Sequence, residues 1–221
     1  MKKFKIFVEG KADQRFVHHY IEYLFAASLK CDKDNAPEDI LSGDGWTKIK
    51  SRRKEGENIR EDMRRNAAEG GVNLIIFDAD TPKNGGGFSV RKSEIEAWKA
   101  KYSLNFELFL FPNNQDDGAL EDLLEKIINP QNKPVFDCWQ KFEDCLPTKT
   151  ACTKNPLTIP AKKSKIYAYM EVLHGESRAE KDNVKDSNRD FKKAEHWDLN
   201  GAAIQPLKDF LRLHLAEEGG L

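Results

Sequence analysis

No stretch of this chain is apolar for long enough to cross a bilayer, which takes about 20 consecutive helical residues. The opening Met1-Lys2-Lys3 leads straight into a short strand-like segment and not into a signal-peptide core. Both observations point to a cytoplasmic protein with no membrane partner. Cysteine is scarce: four residues in 221 do not make a disulfide framework. Zinc sites normally show a close pair such as C-x₂-C, and the chain has none. Cys138, Cys145 and Cys152 recur every seven residues, a spacing that could align them on a helix, and they read as reduced thiols. His18, His19, His174, His196 and His214 show no metal-binding spacing and read as surface or packing residues. An excess of one charge is also missing. A net charge of -1 excludes the global basic footprint of a nonspecific nucleic-acid binder, while local basic patches stay open.

What is present is a 39% hydrophobic, 33% charged sequence of the size of one well-cored domain with a small appendage. Its organising stretch is NLIIFDADTP, residues 73–82. Leu74, Ile75, Ile76 and Phe77 follow Gly70-Gly71 and suit a strand buried on both faces of a parallel sheet. The run ends in charge. Asp78 and Asp80 are two apart, so on an extended backbone they leave the same face at the strand's carboxyl end, where open α/β sheets place their ligands. Two carboxylates converging there repel each other unless a cation shares them, and a hard divalent ion such as Mg²⁺ takes oxygen ligands. The alternative is a plain strand-ending turn, since Asp is common in turns.

Residues 4–8 form the first strand, closed by Glu9-Gly10, and the apolar positions Phe16, Val17, Tyr20, Ile21, Leu24 and Phe25 predict a helix over 11–29. Asp13, near its amino end, can complement the helix dipole or serve a metal. A weak strand over 39–42 leads to a long helix over 46–68, with Ile49, Ile59 and Met63 as its apolar stripe. That helix is rich in Lys and Arg: Lys48, Lys50, Arg52, Arg53, Lys54, Arg60, Arg64 and Arg65. Interspersed acids favour a solvated face over a phosphate-tracking surface. The KNGGG run, 83–87, reads as a flexible lip. Further elements are a helix over 90–102, a strand over 106–111 and a helix over 119–128 capped by Asp116 or Asp117, with Glu121 and Asp122 in its first turn.

Four strand–helix alternations predict an α/β fold over residues 1–130: a mostly parallel four-stranded sheet with helices on both faces. Residues 131–221 read as a helical extension, with polar insertions over about 147–160 and 175–190. The second insertion has the composition of a disordered or lid-like segment. A final helix over 203–215 carries enough apolar residues to dock back on the sheet.

The ordered set of a glutamate closing the first strand (VEGKAD, 8–13) and a D-x-D closing a central one (FDAD, 77–80) resembles a Toprim domain, a Rossmann-like catalytic module. Glu9 followed by Asp13 resembles the E-x-x-x-D variant of OLD-type nucleases. NNQDDGALEDLL, 113–124, is similar to small stand-alone, OLD-related Toprim proteins lacking the ATPase partner domain. The resemblance covers about residues 4–130. It implies that Glu9, Asp78 and Asp80 bind a divalent ion, Mg²⁺ or Mn²⁺, with Asp13 and Glu121 completing a second metal position. It also implies a lysine beyond the sheet, for which Lys163 and Lys165 both qualify, although an exposed helix start is the preferred reading of that cluster. The implied reaction is metal-dependent phosphodiester hydrolysis of nucleic acid, DNA ahead of RNA, in phage defence or DNA repair, with room for a protein partner. Glu9 could instead act as general acid or base.

Two other readings compete. Haloacid-dehalogenase-type phosphatases also carry D-x-D after a buried strand, but theirs usually comes first in the chain and is followed by threonine where this chain has Pro82. A non-catalytic nucleic-acid or protein binding module with vestigial carboxylates is the third reading.

Overall fold

The computed structural model describes residues 1–32, 36–43, 45–46, 59–152, 155–174, 177–186 and 188–217. Four strands, β1 (Phe4–Val8), β2 (Ile40–Ser42), β3 (Val72–Asp78) and β4 (Glu107–Phe111), form one sheet in the order β2-β1-β3-β4. All three pairings are parallel, with Val8 beside Ile76 and Asp78 beside Phe111. This is the α/β architecture expected from the alternation of strands and helices. The chain runs outward from β1 to β2, then returns to β3 and runs outward to β4. The order therefore reverses between β1 and β3, the place where open α/β sheets form their ligand crevice.

Strand alternation divides the core in two. One face presents Ile6, Val8, Leu74, Ile76, Phe109 and Phe111. They meet helices α1 (Lys11–Phe25), α4 (Leu120–Lys126), α6 (Lys162–Leu173) and α8 (Gln205–Leu215). The other presents Phe7, Ile75, Phe77 and Leu110 to α2 (Ile59–Ala68), α3 (Phe88–Tyr102) and Trp46. Burial on both sides explains why β3 reads as a continuous apolar run. Its one buried polar residue, Asn73, is fully used: its amide donates to the Met63 and Asn105 carbonyls, and its oxygen accepts from Asn66.

Residues beyond 130 contribute heavily to the first face. Ile166, Tyr169, Met170, Phe191, Trp197, Leu207, Leu211 and Leu215 are all buried there. Helix α5 (Lys133–Cys145) lies against α6 and buries none of its residues fully.

One expectation lies partly outside the described residues, and two need correction. The described part of the long basic helix is α2, which begins at Ile59, and Lys48, Lys50, Arg52, Arg53 and Lys54 lie outside the described residues. On α2, Arg60 stacks on the Tyr102 ring, Arg64 donates to the Tyr102 carbonyl and Arg65 pairs with Asp62, so these cations are engaged by the fold. The polar stretch around 177–191 is packed, not loose. It forms the short helix α7 (Arg178–Asp182) and then sends Val184, Arg189 and Phe191 into the interior. Arg189 is only 2% exposed because its charge is compensated. It donates to the Val184 carbonyl at 3.0 Å, sits 3.2 Å from Asp186 and lies over the Tyr167 and Phe191 rings. The glycine run of the 83–87 loop is likewise tied back, with Gly86 and Gly87 donating to Thr81 and Ala79 at 3.0 and 2.8 Å.

Candidate functional site

The carboxyl ends of β1 and β3 each release an acid. Glu9 follows β1 directly, and its carbonyl accepts the Gly45 amide at 3.0 Å, which steers the chain away from the sheet. Asp78 ends β3 and accepts the Leu120 backbone N–H at 2.9 Å, so its carboxylate faces the amino end of α4. Asp13 accepts the Gly10 N–H at 3.0 Å across the start of α1. The helix-start role weighed for Asp13 is therefore present, and the same side chain still borders the crevice. Asp13, Asp78, Glu121, Asp186, Lys11 and Lys163 line one cavity of about 250 Å³.

Charge is crowded here. Burial, then the charges of Asp13 and Asp80, push the Glu9 carboxyl up to about 7, against a weaker pull from Arg91 and a hydrogen bond from the Asp78 amide. Burial and Glu121 push Asp13 up to about 7 despite its amide bonds and the Lys163 charge. Asp78 is raised well above the usual range by burial, Asp13, Glu9 and Glu121. The Oε1 atom of Glu9 is buried with no hydrogen-bond partner. A buried carboxylate oxygen left without a partner is costly and calls for a cation or a proton.

Asp80 stands apart from this group. It adopts φ +60, a left-handed conformation that Asp tolerates better than most residues. A reciprocal backbone pair with Gly118 holds it, at 2.7 and 2.9 Å. Gly86 packs beneath it so closely that a Cβ there would lie 2.4 Å from the Asp80 Cβ. Its carboxylate is occupied by Arg91 at 2.6 Å, and Arg91 in turn contacts Glu94, which accepts the Trp46 indole N–H at 3.0 Å. Among the described residues, no three acidic, histidine or cysteine side chains stand close enough, as they lie, to hold a metal ion. The donors nonetheless fit a hard divalent ion in kind. They are all carboxylate oxygens; Asp13 is buried, Glu9 and Asp78 are half-buried, the three repel one another, and the Glu9 Oε1 atom lacks a partner.

The lysine ambiguity resolves in position. Lys163 lines the acidic cavity and pairs with Asp186 at 2.6 Å, whereas Lys165 is turned away, pairing with Glu125 at 2.9 Å above the Phe136 ring. The expected helix caps also shift. Asp122, not Asp116 or Asp117, accepts the amide at the start of α4, while Asp117 accepts the Phe88 N–H at 2.6 Å and so caps α3.

Sequence reasoning missed Arg91, Asp186 and Arg189. Arg91 sits in a helix that reads as uniformly charged. Asp186 and Arg189 fall in a run whose composition hides their i, i+3 pairing; no motif marks them. No curated protein and no solved structure matches the chain. A family model described as a protein of unknown function (DUF3226) matches residues 3–215, nearly the whole length, and the chain belongs to that family.

Proposed function

We propose that the chain is a divalent-metal-dependent phosphodiesterase acting on nucleic acid, DNA ahead of RNA, related to the Toprim-bearing OLD-type nucleases. The observation that carries this reading is the crowding of Glu9, Asp13 and Asp78 at the switch point of the sheet. Burial and mutual repulsion raise all three, and Glu9 Oε1 lacks a partner. Glu9, Asp13 and Asp78 would hold Mg²⁺ or Mn²⁺, with Glu121 at the rim and Asp80 available once Arg91 releases it. When bound, such ions supply an acidified water and compensate charge on a phosphate.

The remaining roles belong to the chain itself. Lys163, which lines the cavity together with Lys11 and pairs with Asp186, would meet a non-bridging phosphate oxygen. Glu9, raised to about 7, is suited to exchange a proton at neutral pH. A cavity of about 250 Å³ is smaller than the roughly 300–1,000 Å³ of sites for drug-sized ligands. It suits one phosphate group of a polymer better than a whole small-molecule ester. A cytoplasmic setting in phage defence or DNA repair is the context that goes with this reading. No described helix is long and apolar enough to cross a membrane.

One observation favours a second reading, a binding module with a vestigial site: Asp80 is already neutralised by Arg91. The test is incubation of the purified protein with circular DNA, linear DNA and RNA in Mg²⁺ or Mn²⁺. The nuclease reading expects cleavage that Asp78→Ala and Glu9→Ala reduce more than ~100-fold, beyond what outer-shell partners of a metal usually cost, with circular dichroism unchanged. Metal binding without cleavage of any polymer would select the binding module. Turnover of small phosphate esters alone would select a phosphatase.

A further inference from the structure

A second cavity, of about 350 Å³, lies on the other side of the 183–191 segment and has the opposite character. Arg15, Lys192, Lys193, His19, His174 and His196 line it, together with the side-chain amides of Asn183 and Asn188. Its one acid, Asp190, accepts the Lys192 backbone N–H at 2.9 Å, and the Lys192 ammonium is paired with Glu22 at 2.8 Å. Arg15 donates through Nε to the Arg189 carbonyl at 3.3 Å, and among the described residues neither Arg15 nor Lys193 has an ion-pair partner.

The histidines register the resulting positive field. His19 is lowered to about 4 by burial and then by Arg15; His174 is lowered by burial and Lys193, and His196 by burial, His174 and Lys193. All three are therefore neutral at physiological pH. Because the Nδ1 atom of His19 accepts the Phe191 N–H at 3.1 Å, its ring proton resides on Nε2, which is left to donate. Two ring nitrogens, Nδ1 of His196 and Nε2 of His174, are buried with no hydrogen-bond partner, and His196 as a whole is only 8% exposed. Buried polar atoms without partners are uncommon in a finished fold and need an explanation.

We propose that this cavity is an anion site that takes a phosphate group, bound by the Arg15 guanidinium and the Lys193 ammonium with hydrogen bonds from the His19 ring and the Asn183 amide. Arginine matches a phosphate in fork geometry, and neutral donors add contacts at no electrostatic cost. The phosphate can come from a nucleic-acid backbone or from a free nucleotide. The site is independent of the carboxylate cluster and stands whether or not that cluster cuts nucleic acid.

The test uses the full chain in EDTA, which removes the carboxylate site from the readout. Inorganic phosphate, a mononucleotide and a single-stranded 12-mer are titrated by calorimetry, alongside ¹⁵N spectra of the histidine side chains. Phosphate is expected to shift the His19 and His196 ring signals, and Arg15→Gln is expected to weaken binding at least tenfold. Lys193→Gln, at an exposed residue, guards against misfolding of the first variant and is expected to weaken it at least threefold. Lys133→Gln, at an exposed residue that lines neither cavity, should leave it unchanged. A 12-mer that binds more tightly than phosphate and loses that advantage in Arg15→Gln identifies a polymer backbone; a mononucleotide that outbinds the 12-mer identifies a free ligand. Unmoved histidine signals at saturating phosphate, or affinities for all three probes that neither variant changes, would overturn the proposal.

Discussion

Asp13 and Arg15 stand two residues apart on α1, about 200° around the helix, and each borders a different cavity. Asp13 lines the acidic one with Asp78, Glu121 and Lys163; Arg15 lines the basic one with His19, Lys192 and Lys193. The 183–191 segment is shared in the same way, with Asp186 on the acidic side and Asn183, Asn188 and Asp190 on the basic side. A net charge of -1 thus conceals two concentrated and opposite fields separated by one strap of chain. Each field perturbs its own titratable groups, carboxyls upward and imidazoles downward, as burial plus like charge requires. Average charge says little about such a molecule, because interactions at these short distances and low local dielectric are decided by the nearest neighbours.

Arg189 touches a lining residue of each cavity, Asp186 through its side chain and Arg15 through its carbonyl, so its removal is the strongest challenge to the contrast. Arg189→Met should destabilise the protein by about 2 kcal/mol, because the Val184 carbonyl loses a charged donor and Asp186 keeps only the Lys163 ammonium. It should also disturb both cavities at once. Denaturant unfolding that shows a loss below about 1 kcal/mol would mean that the strap is held by Val184 and Phe191 alone.

The two fields should also give stability opposite dependences on pH. In metal-free protein, Glu9 is raised from 4.5 to about 7 on folding. The folded state therefore holds a proton the unfolded state has lost, and stability falls as pH rises from about 4.5 to 7, by on the order of 3 kcal/mol if this group acts alone. His19 is lowered from 6.5 to about 4, so its contribution is lost as pH falls through that window, with similar size. Thermal melts in EDTA should show Glu9→Gln gaining on the wild type as pH rises, and His19→Gln gaining as pH falls. Mn²⁺ should restore stability above pH 7 in the wild type and much less in Asp78→Asn, if the proposed cation site is real. Parallel pH profiles for both variants would erase the distinction between the cavities.

The smallest expected effect sharpens the comparison most. Lys193 is exposed and has no ion-pair partner among the described residues, so Lys193→Gln should change unfolding free energy by less than about 0.5 kcal/mol, even while it weakens phosphate binding. A larger loss would make Lys193 a structural residue of the strap.

How much was legible depended on range. Four strands and their helices could be read from short-range signals: unbroken β-branched and aromatic runs such as LIIF, and helical spacing such as that of Phe16, Tyr20 and Leu24. Placement of Glu9 and Asp78 at strand ends followed from the abrupt change from apolar to charged residues. The 177–191 strap could not be read that way. Its composition is that of a loose segment, and contacts with the Val184 carbonyl, Asp186, Tyr167 and Phe191 explain how Arg189 is buried. Arg91 was hidden for a similar reason: nothing local distinguishes it from Arg60 or Arg64, which also lie on charged helices but serve packing.

The sequence by itself determined the alternation of elements, the parallel α/β class and the positions at which acids leave the sheet, because hydrophobic periodicity and strand-ending residues act within a few positions of one another. Only the tertiary structure decided which acids share a cavity, that Lys163 and not Lys165 faces them, that Asp80 is held by Arg91, and that a cationic cavity exists at all. Those outcomes depend on through-space distances between residues as far apart as Arg15 and Lys193, and electrostatic fields and burial are set by what the folded chain brings together, whatever its order along the sequence.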